Sequence, residues 1–148
     1  MILLPGEDSA RAFGARLAVV LAPGDAVTLS GPLGAGKTSI ARGVLAALGY
    51  AGEAPSPSYA IVQDYAPPEV RLPVLHVDLY RIDDPRELDE LGLDDARRDG
   101  ALLVEWPERA GDGWWRDALA LTLGVSDDGV RVLTARVPAA WRARWPLT

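Results

Sequence analysis

Cysteine is absent from the chain, and histidine occurs once, as His76. Without cysteine there are no disulfides, thiolate metal sites or cysteine nucleophiles, and a single histidine excludes a histidine-rich metal site. Basic residues are also in deficit, because 15 lysines and arginines stand against 21 aspartates and glutamates, which gives a net charge of −6. This sign of charge disfavours direct, sequence-specific binding to nucleic acid.

Long apolar segments are missing as well. No stretch approaches the ~18 consecutive apolar residues of a membrane-spanning helix. The amino-terminal residues lack a basic region, and Pro5 interrupts their apolar run, unlike a signal peptide. With 148 residues, 49% of them hydrophobic, the chain fits one domain over residues 1–148. We therefore expect a cytoplasmic protein that makes no membrane contact.

Lysine occurs once, as Lys37, and every other basic side chain is an arginine. Arginine is thus used at every position where either a lysine or an arginine would supply the positive charge. Position 37 therefore requires what arginine lacks, a compact ammonium that can rotate.

Apolar periodicity, turn residues and capping residues predict alternating helices and strands. The predicted helices cover residues 9–22, 37–48 and 84–91. The predicted strands cover residues 26–30, 59–64, 74–80 and 101–105, and residues 118–125 and 130–137 form a hairpin. This order is typical of an α/β protein with a mostly parallel sheet.

The segment between the first predicted strand and the second helix carries the pattern Gly31-x-x-x-x-Gly36-Lys37-Thr38, a Walker A loop in its proper strand and helix context. Its glycines let successive amides point at phosphate oxygens, Lys37 reaches the β- and γ-phosphates, and the Thr38 hydroxyl binds Mg²⁺. The predicted cofactors are ATP and Mg²⁺, and the predicted nucleotide-binding residues are Gly31, Pro32, Leu33, Gly34, Ala35, Gly36, Lys37, Thr38 and Ser39.

Two carboxylates end predicted strands and are candidates to complete the site. Glu105 follows four apolar residues, so it emerges at the carboxyl edge of the sheet as a second metal ligand; the alternative is a charge that only starts the next turn. Asp78 shares a strand face with His76 and Tyr80, and it positions an attacking water, supports the metal, or is simply solvated. His76 is as compatible with a structural role as with a functional one.

The motifs, in order, resemble the TsaE family, also called YjeE. They are the loop GPLGAGKTS, the segment Ser56-Pro57-Ser58-Tyr59, the box His76-Val-Asp78-Leu-Tyr80-Arg81 and the signature Val104-Glu105-Trp106-Pro107. Ser58 stands where the family usually has threonine. The resemblance covers nearly the whole chain and implies a three-layer P-loop NTPase fold, with a mostly parallel central sheet and an antiparallel C-terminal hairpin.

The resemblance further implies an Mg²⁺-dependent ATPase of tRNA threonylcarbamoyladenosine (t6A) biosynthesis that binds the TsaB–TsaD pair and resets it by hydrolysis. Lys37, Asp78 and Glu105 are then catalytic, and Thr38 and Glu105 bind the metal. The residues expected to form the switch or meet the partner are Ser56, Pro57, Ser58, Tyr59, Tyr80 and Trp106.

Two alternatives remain open at this point. One is a small-molecule P-loop kinase whose lid uses Arg86, Arg97 and Arg98, and the other is a nucleotide-gated binding module in which hydrolysis is incidental. Four tryptophans, Trp114, Trp115, Trp141 and Trp145, have no place in the motif set. Packing over the sheet is the favoured interpretation, and a patch that faces a partner is the other.

Overall fold

The computed structural model describes residues 1–54, 62–111 and 113–147, and a seven-stranded sheet lies at their centre. Its order is β1-β7-β6-β2-β5-β4-β3. The strands are β1 (Ile2–Leu4), β2 (Ala26–Ser30), β3 (Val62–Tyr65), β4 (Val74–Asp78), β5 (Ala101–Glu105), β6 (Leu119–Val125) and β7 (Arg131–Arg136).

The four strands in the middle of the sheet, β6, β2, β5 and β4, run parallel. β4 and β5 are buried along their whole length, as expected for strands covered on both faces. The β6–β7 hairpin is antiparallel. The mostly parallel sheet and the C-terminal hairpin are thus confirmed, whereas β1 and the antiparallel pairing of β3 with β4 were not predicted.

Helices cover both faces of the sheet. On one face lie α1 (Glu7–Val20) and α2 (Lys37–Ala47), packed over a core that includes Val27 and Leu103. The opposite face, with Val77 and Leu102, is covered by α3 (Leu93–Asp99) and two 3₁₀ helices, Pro85–Glu90 and Pro107–Ala110. The three-layer fold class is therefore confirmed.

Several predicted boundaries need correction. The first helix covers residues 7–20 instead of 9–22, and the strand predicted over 74–80 ends at Asp78. The helix predicted over 84–91 is a 3₁₀ helix, whose Asp84 carboxylate accepts the backbone N–H of Arg86. Residues 59–61 of the strand predicted over 59–64 lie outside the described ranges.

Two glycines set the spacing between α1 and α2. A Cβ on Gly14 would lie 2.2 Å from the carbonyl oxygen of Ile40, and one on Gly43 would lie 2.1 Å from that of Arg11. These distances are far below van der Waals contact, so larger residues would push the helices apart. The close approach holds α2, and the loop before it, against α1.

In the described part of the chain no helix has both the length and the apolar character needed to cross a membrane.

The carboxyl-terminal 3₁₀ helix, Ala139–Arg144, packs on the same core as α1. Trp141 is fully buried there, and Trp145 contacts the Phe13 ring edge-on. Arg144 donates to both carboxylate oxygens of Asp25, at 2.6 and 3.1 Å, and its guanidinium lies 3.9 Å from the centre of the Trp141 ring. Trp141 and Trp145 therefore both pack on the core, which supports the favoured interpretation.

Replacing Arg144 by alanine removes this pairing and leaves Asp25, itself mostly buried, without its cation. We expect Arg144→Ala to lower the free energy of unfolding by about 1–3 kcal/mol, measured by urea denaturation. Arg142→Ala, on the exposed side of the same 3₁₀ helix, is the matched control and should change it by less than about 0.5 kcal/mol. Equal losses in the two variants would contradict this account.

Candidate functional site

The loop of residues 31–36 connects the buried strand β2 to the amino-terminal end of α2. Gly36 precedes the helix with φ of +110°, which few residues other than glycine adopt. A Cβ on Gly31 would lie 2.5 Å from the carbonyl oxygen of Leu123 in β6. The loop therefore fits tightly against the sheet, and the free amides of the first turn of α2 are available to an anion.

Lys37 is 5% exposed, and among the residues that the structure describes its ammonium has no carboxylate partner within ion-pair distance. It donates instead to the carbonyl oxygens of Gly31 and Pro32, the second at 3.0 Å, and lies 4.2 Å from the centre of the Trp106 ring. Burial lowers the pKa of Lys37, and the negative charges of Glu105 and Asp78 oppose that shift only in part.

Glu105 links the loop to the neighbouring strand β4. The Thr38 hydroxyl donates to its carboxylate at 3.2 Å, and His76 Nε2 lies 2.7 Å from Oε2. A carboxylate only accepts, so we assign the imidazole proton to Nε2. His76 is fully buried, and its Nδ1 has no hydrogen-bond partner within the described ranges of the chain. This arrangement fixes the orientation of Glu105.

Asp78 ends β4 directly opposite Glu105 in the pairing with β5. It is 8% exposed, and its Oδ1 accepts the backbone N–H of Tyr80 at 2.9 Å. Burial raises the pKa of Asp78, the Tyr80 hydrogen bond opposes that shift, and the nearby Glu105 adds to it. Parallel pairing thus brings both predicted carboxylates to the same edge of the sheet.

Trp106 follows Glu105 with φ of +58°, and among the described residues it is the one non-glycine residue with a positive φ. Such a backbone is uncommon for a bulky side chain and marks sites of function or strain. Its ring contacts both the ammonium of Lys37 and the ring of Tyr80, whose centre is 4.9 Å away, and the Arg109 guanidinium lies over the Tyr80 ring. Lys37, Trp106 and Tyr80 thus form a column of side chains in contact. Because Tyr80 is 41% exposed, this column connects the loop to the protein surface.

These residues surround a cleft of about 350 Å³. Of the predicted site residues, the cleft is lined by Leu33, Gly34, Gly36, Lys37, Thr38, Ser39, Asp78, Glu105 and Trp106. The predicted segment Ser56–Tyr59 lies outside the described residues. Sequence reasoning missed two lining residues, Glu7 and Arg131. The sequence signal that could have pointed to Arg131 is its position just after the turn of the predicted hairpin.

The donor set fits a magnesium ion held mainly by its nucleotide. Among residues 1–54, 62–111 and 113–147 no three histidine or carboxylate side chains cluster as a metal site. Thr38 and Glu105 instead offer one hydroxyl and one carboxylate side by side. Mg²⁺ commonly takes one or two such protein ligands and completes its shell with phosphates and water.

The arginines considered for a kinase lid do not reach this cleft. Arg86 pairs with Asp84, Arg97 pairs with Asp117, and Arg98 lies beside Asp95. None of the three lines the cleft. Two of the unassigned tryptophans pack beside this region. Trp115 is buried, and its indole N–H donates to the carbonyl of Pro107. The half-buried Trp114 lies against the Trp115 ring, so packing is supported for both.

A parallel sheet whose central strand passes through a Walker A loop into a helix defines the class of P-loop nucleotide-binding proteins. The chain belongs to the TsaE family, whose model, "Threonylcarbamoyl adenosine biosynthesis protein TsaE", matches residues 4–132. Proteins of this family take part in the biosynthesis of t6A in tRNA.

Similar proteins extend over most of the chain. A tRNA threonylcarbamoyladenosine biosynthesis protein TsaE of Mycobacterium leprae is 37% identical over 138 residues, covering 88% of this chain and 83% of the relative. The protein of that name from Streptomyces coelicolor is 38% identical over 129 residues, covering 84% and 87%. The crystal structure of Bacillus subtilis YdiB aligns with a TM-score of 0.76 and 28% identity, covering 91% of this chain and 82% of YdiB. The family resemblance is confirmed.

The buried, ionised carboxylate of Asp78 is expected to lower the free energy of unfolding. Its pKa is raised in the folded protein, so above that pKa both states are ionised and the folded state carries the desolvation penalty. As the pH falls through the raised pKa, the folded state binds a proton first and the penalty disappears. We expect Asp78→Asn to melt at a higher temperature than wild type at pH 7, with the difference shrinking on acidification.

Thermal unfolding monitored by circular dichroism between pH 4 and pH 8 measures this effect. Asp89→Asn, an exposed carboxylate outside the cleft, is the control and should follow wild type throughout. An Asp78→Asn variant that melts below wild type at pH 7 would show that the ionised carboxylate stabilises the fold.

Proposed function

We propose that the chain is an Mg²⁺-dependent ATPase that acts in t6A biosynthesis by resetting a TsaB–TsaD complex between turnovers. The observation that carries the proposal is that Lys37, Thr38 and Glu105 meet at the mouth of a Walker A loop. The family's role in t6A biosynthesis supports the proposal that ATP hydrolysis by this chain serves that pathway. With this role we also propose a cytoplasmic location, where tRNA and ATP are found.

In this proposal the loop amides and the amino-terminal end of α2 hold the phosphates. Lys37 gives up its bonds to the carbonyls of Gly31 and Pro32 and turns to the β- and γ-phosphates. Burial lowers its pKa, and the nearby carboxylates compensate the buried charge only in part, so a polyphosphate would supply further counter-charge. Binding of a polyphosphate is therefore favoured because it offsets the cost of burying the ammonium.

Asp78 and Glu105 have different roles in the proposed reaction. Glu105 is oriented by His76 and stands beside the Thr38 hydroxyl, so these two oxygens would hold Mg²⁺. When bound, the metal neutralises charge on the β- and γ-phosphate oxygens. Asp78, whose raised pKa makes it a better proton acceptor than an exposed aspartate, orients the attacking water from the adjacent strand end.

The column of Lys37, Trp106 and Tyr80 supplies a route from the nucleotide to a partner. Movement of the ammonium removes its contact with the Trp106 ring, which also contacts the exposed Tyr80. Together with Ser56–Tyr59, these residues form the proposed switch and partner surface. The same column favours a second candidate function, a binding module gated by the nucleotide with hydrolysis incidental.

Steady-state ATP hydrolysis tests the proposal, with the purified chain alone and with TsaB and TsaD homologues from the same source. We expect slow turnover alone and stimulation by the pair. Lys37→Ala should lower turnover by at least about 100-fold, because it removes the ammonium that stabilises charge on the transferred phosphoryl group. Arg98→Ala, a cation outside the cleft, is the matched control and should retain full activity.

Wild-type turnover by Lys37→Ala would overturn the ATPase proposal. Nucleotide binding without hydrolysis, alone and with the pair, would favour the gated binding module. In that case the affinity for TsaB–TsaD should depend on ATP and stay unchanged in Glu105→Gln.

Removal of the imidazole should change the magnesium requirement, because His76 orients Glu105 from behind. We expect His76→Ala to raise the Mg²⁺ concentration for half-maximal hydrolysis about tenfold. His76→Gln, which keeps a buried N–H donor, should recover part of this loss. Mg²⁺ titrations on the folded variants measure the effect, and a fall in turnover with an unchanged Mg²⁺ requirement would contradict the positioning role.

A further inference from the structure

The cleft has two ends, and the proposed function uses only one of them. Asp78 and Glu105 come from β4 and β5, which lie on one side of β2 in the sheet. Arg131 comes from β7, which lies on the other side of β2, beyond β6. The loop after β2 therefore separates the phosphate chemistry from Arg131, and both line the same cleft.

Arg131 is positioned by strand pairing on both sides. It is the first residue of β7 and pairs with Leu4 of β1 and Val125 of β6. Strand alternation puts its side chain on the same sheet face as Leu133, which is the face that α1 and α2 cover. The side chain thus lies on the loop side of the sheet at its carboxyl edge.

The contact with the loop is close. Cδ and Nε of Arg131 lie 3.4 and 3.6 Å from the point that a Cβ on Gly36 would occupy, and the Cβ of Ala10 lies 3.9 Å from the same point. The guanidinium stem therefore passes alongside the last turn of the phosphate loop. The first turns of α1 form the opposite wall, where Glu7 also lines the cleft.

Arg131 has no partner in the described part of the chain, which gives it neither a hydrogen bond nor an ion pair. In particular no ion pair joins it to Glu7 across the cleft. By contrast Arg11, Arg97 and Arg144 are held by carboxylates. A planar guanidinium in a half-buried position, not engaged by hydrogen bonds or ion pairs in the described residues, is suited to stack on a flat aromatic ligand.

We propose that Arg131 binds the base of the nucleotide by stacking its guanidinium on the purine ring, in the space between β7 and the start of α1. This inference rests on the proposed nucleotide site. The polarity of the ligand follows from Lys37, which takes the β- and γ-phosphates at the β5 side of the loop. The nucleoside then leaves the loop on the β6–β7 side, where Arg131 and Glu7 stand. Arg131 is in this account a residue of nucleotide affinity, without a part in phosphoryl transfer.

Isothermal titration calorimetry with ATP and ADP, and competition of inorganic tripolyphosphate against ATP, separate base from phosphate contacts. We expect Arg131→Ala to weaken ATP and ADP about tenfold, the scale of a cation–π contact, with no change for tripolyphosphate. Arg131→Lys keeps the charge and loses the plane, so it should resemble Arg131→Ala. Arg98→Ala is the control, and the melting temperature of each variant verifies its fold.

An equal loss of affinity for ATP and tripolyphosphate would make Arg131 a phosphate contact and overturn the proposal. Unchanged ATP affinity in both Arg131 variants would also overturn it while leaving the proposed function intact. A wild-type chain that binds no nucleotide would instead remove the proposed function, and the inference with it.

Discussion

The burial of charge at the carboxyl edge of the sheet is the constraint on which the site depends. Lys37, Asp78 and Glu105 are exposed by 5%, 8% and 3%, and buried charges are tolerated only when other groups compensate them. Here the compensation comes from loop carbonyls, the imidazole of His76 and a backbone amide. The compensation is incomplete, as the shifted pKa values of Lys37 and Asp78 indicate. A ligand that carries phosphate and a divalent cation would complete it.

The fold makes this arrangement possible by fixing the surrounding backbone. Parallel pairing of β4 with β5 places two carboxylates at one edge, and the glycines at the α1–α2 crossing hold the phosphate loop between helix and sheet. The backbone N–H of Trp106 donates to the carbonyl of Leu29 at 3.2 Å, so the strained residue is anchored to β2. Rigid elements thus carry the polar groups, while the flexible side chain of Lys37 is held by two loop carbonyls and the Trp106 ring.

Much of this was predictable from local sequence. The Walker A spacing, the apolar run before Glu105 and the alternation around His76 and Asp78 place these side chains correctly, because each signal is short-range. The short helix predicted over residues 84–91 is present as a 3₁₀ helix, a geometry that a capping pattern does not distinguish from an α-helix. Edge strand β1 was missed because three residues carry no periodicity. Strand order, which no local pattern encodes, determines the hydrogen bond between His76 and Glu105. It also determines the position of Arg131 beside Gly36.

A crystal structure with a non-hydrolysable ATP analogue and Mg²⁺ tests the central claim most directly. The account predicts that the Lys37 ammonium leaves the carbonyls of Gly31 and Pro32 for the β- and γ-phosphates, and that the metal lies between the Thr38 hydroxyl and the Glu105 carboxylate. A nucleotide bound elsewhere, or phosphates in the loop with Lys37 still on its carbonyls and Trp106, would contradict it.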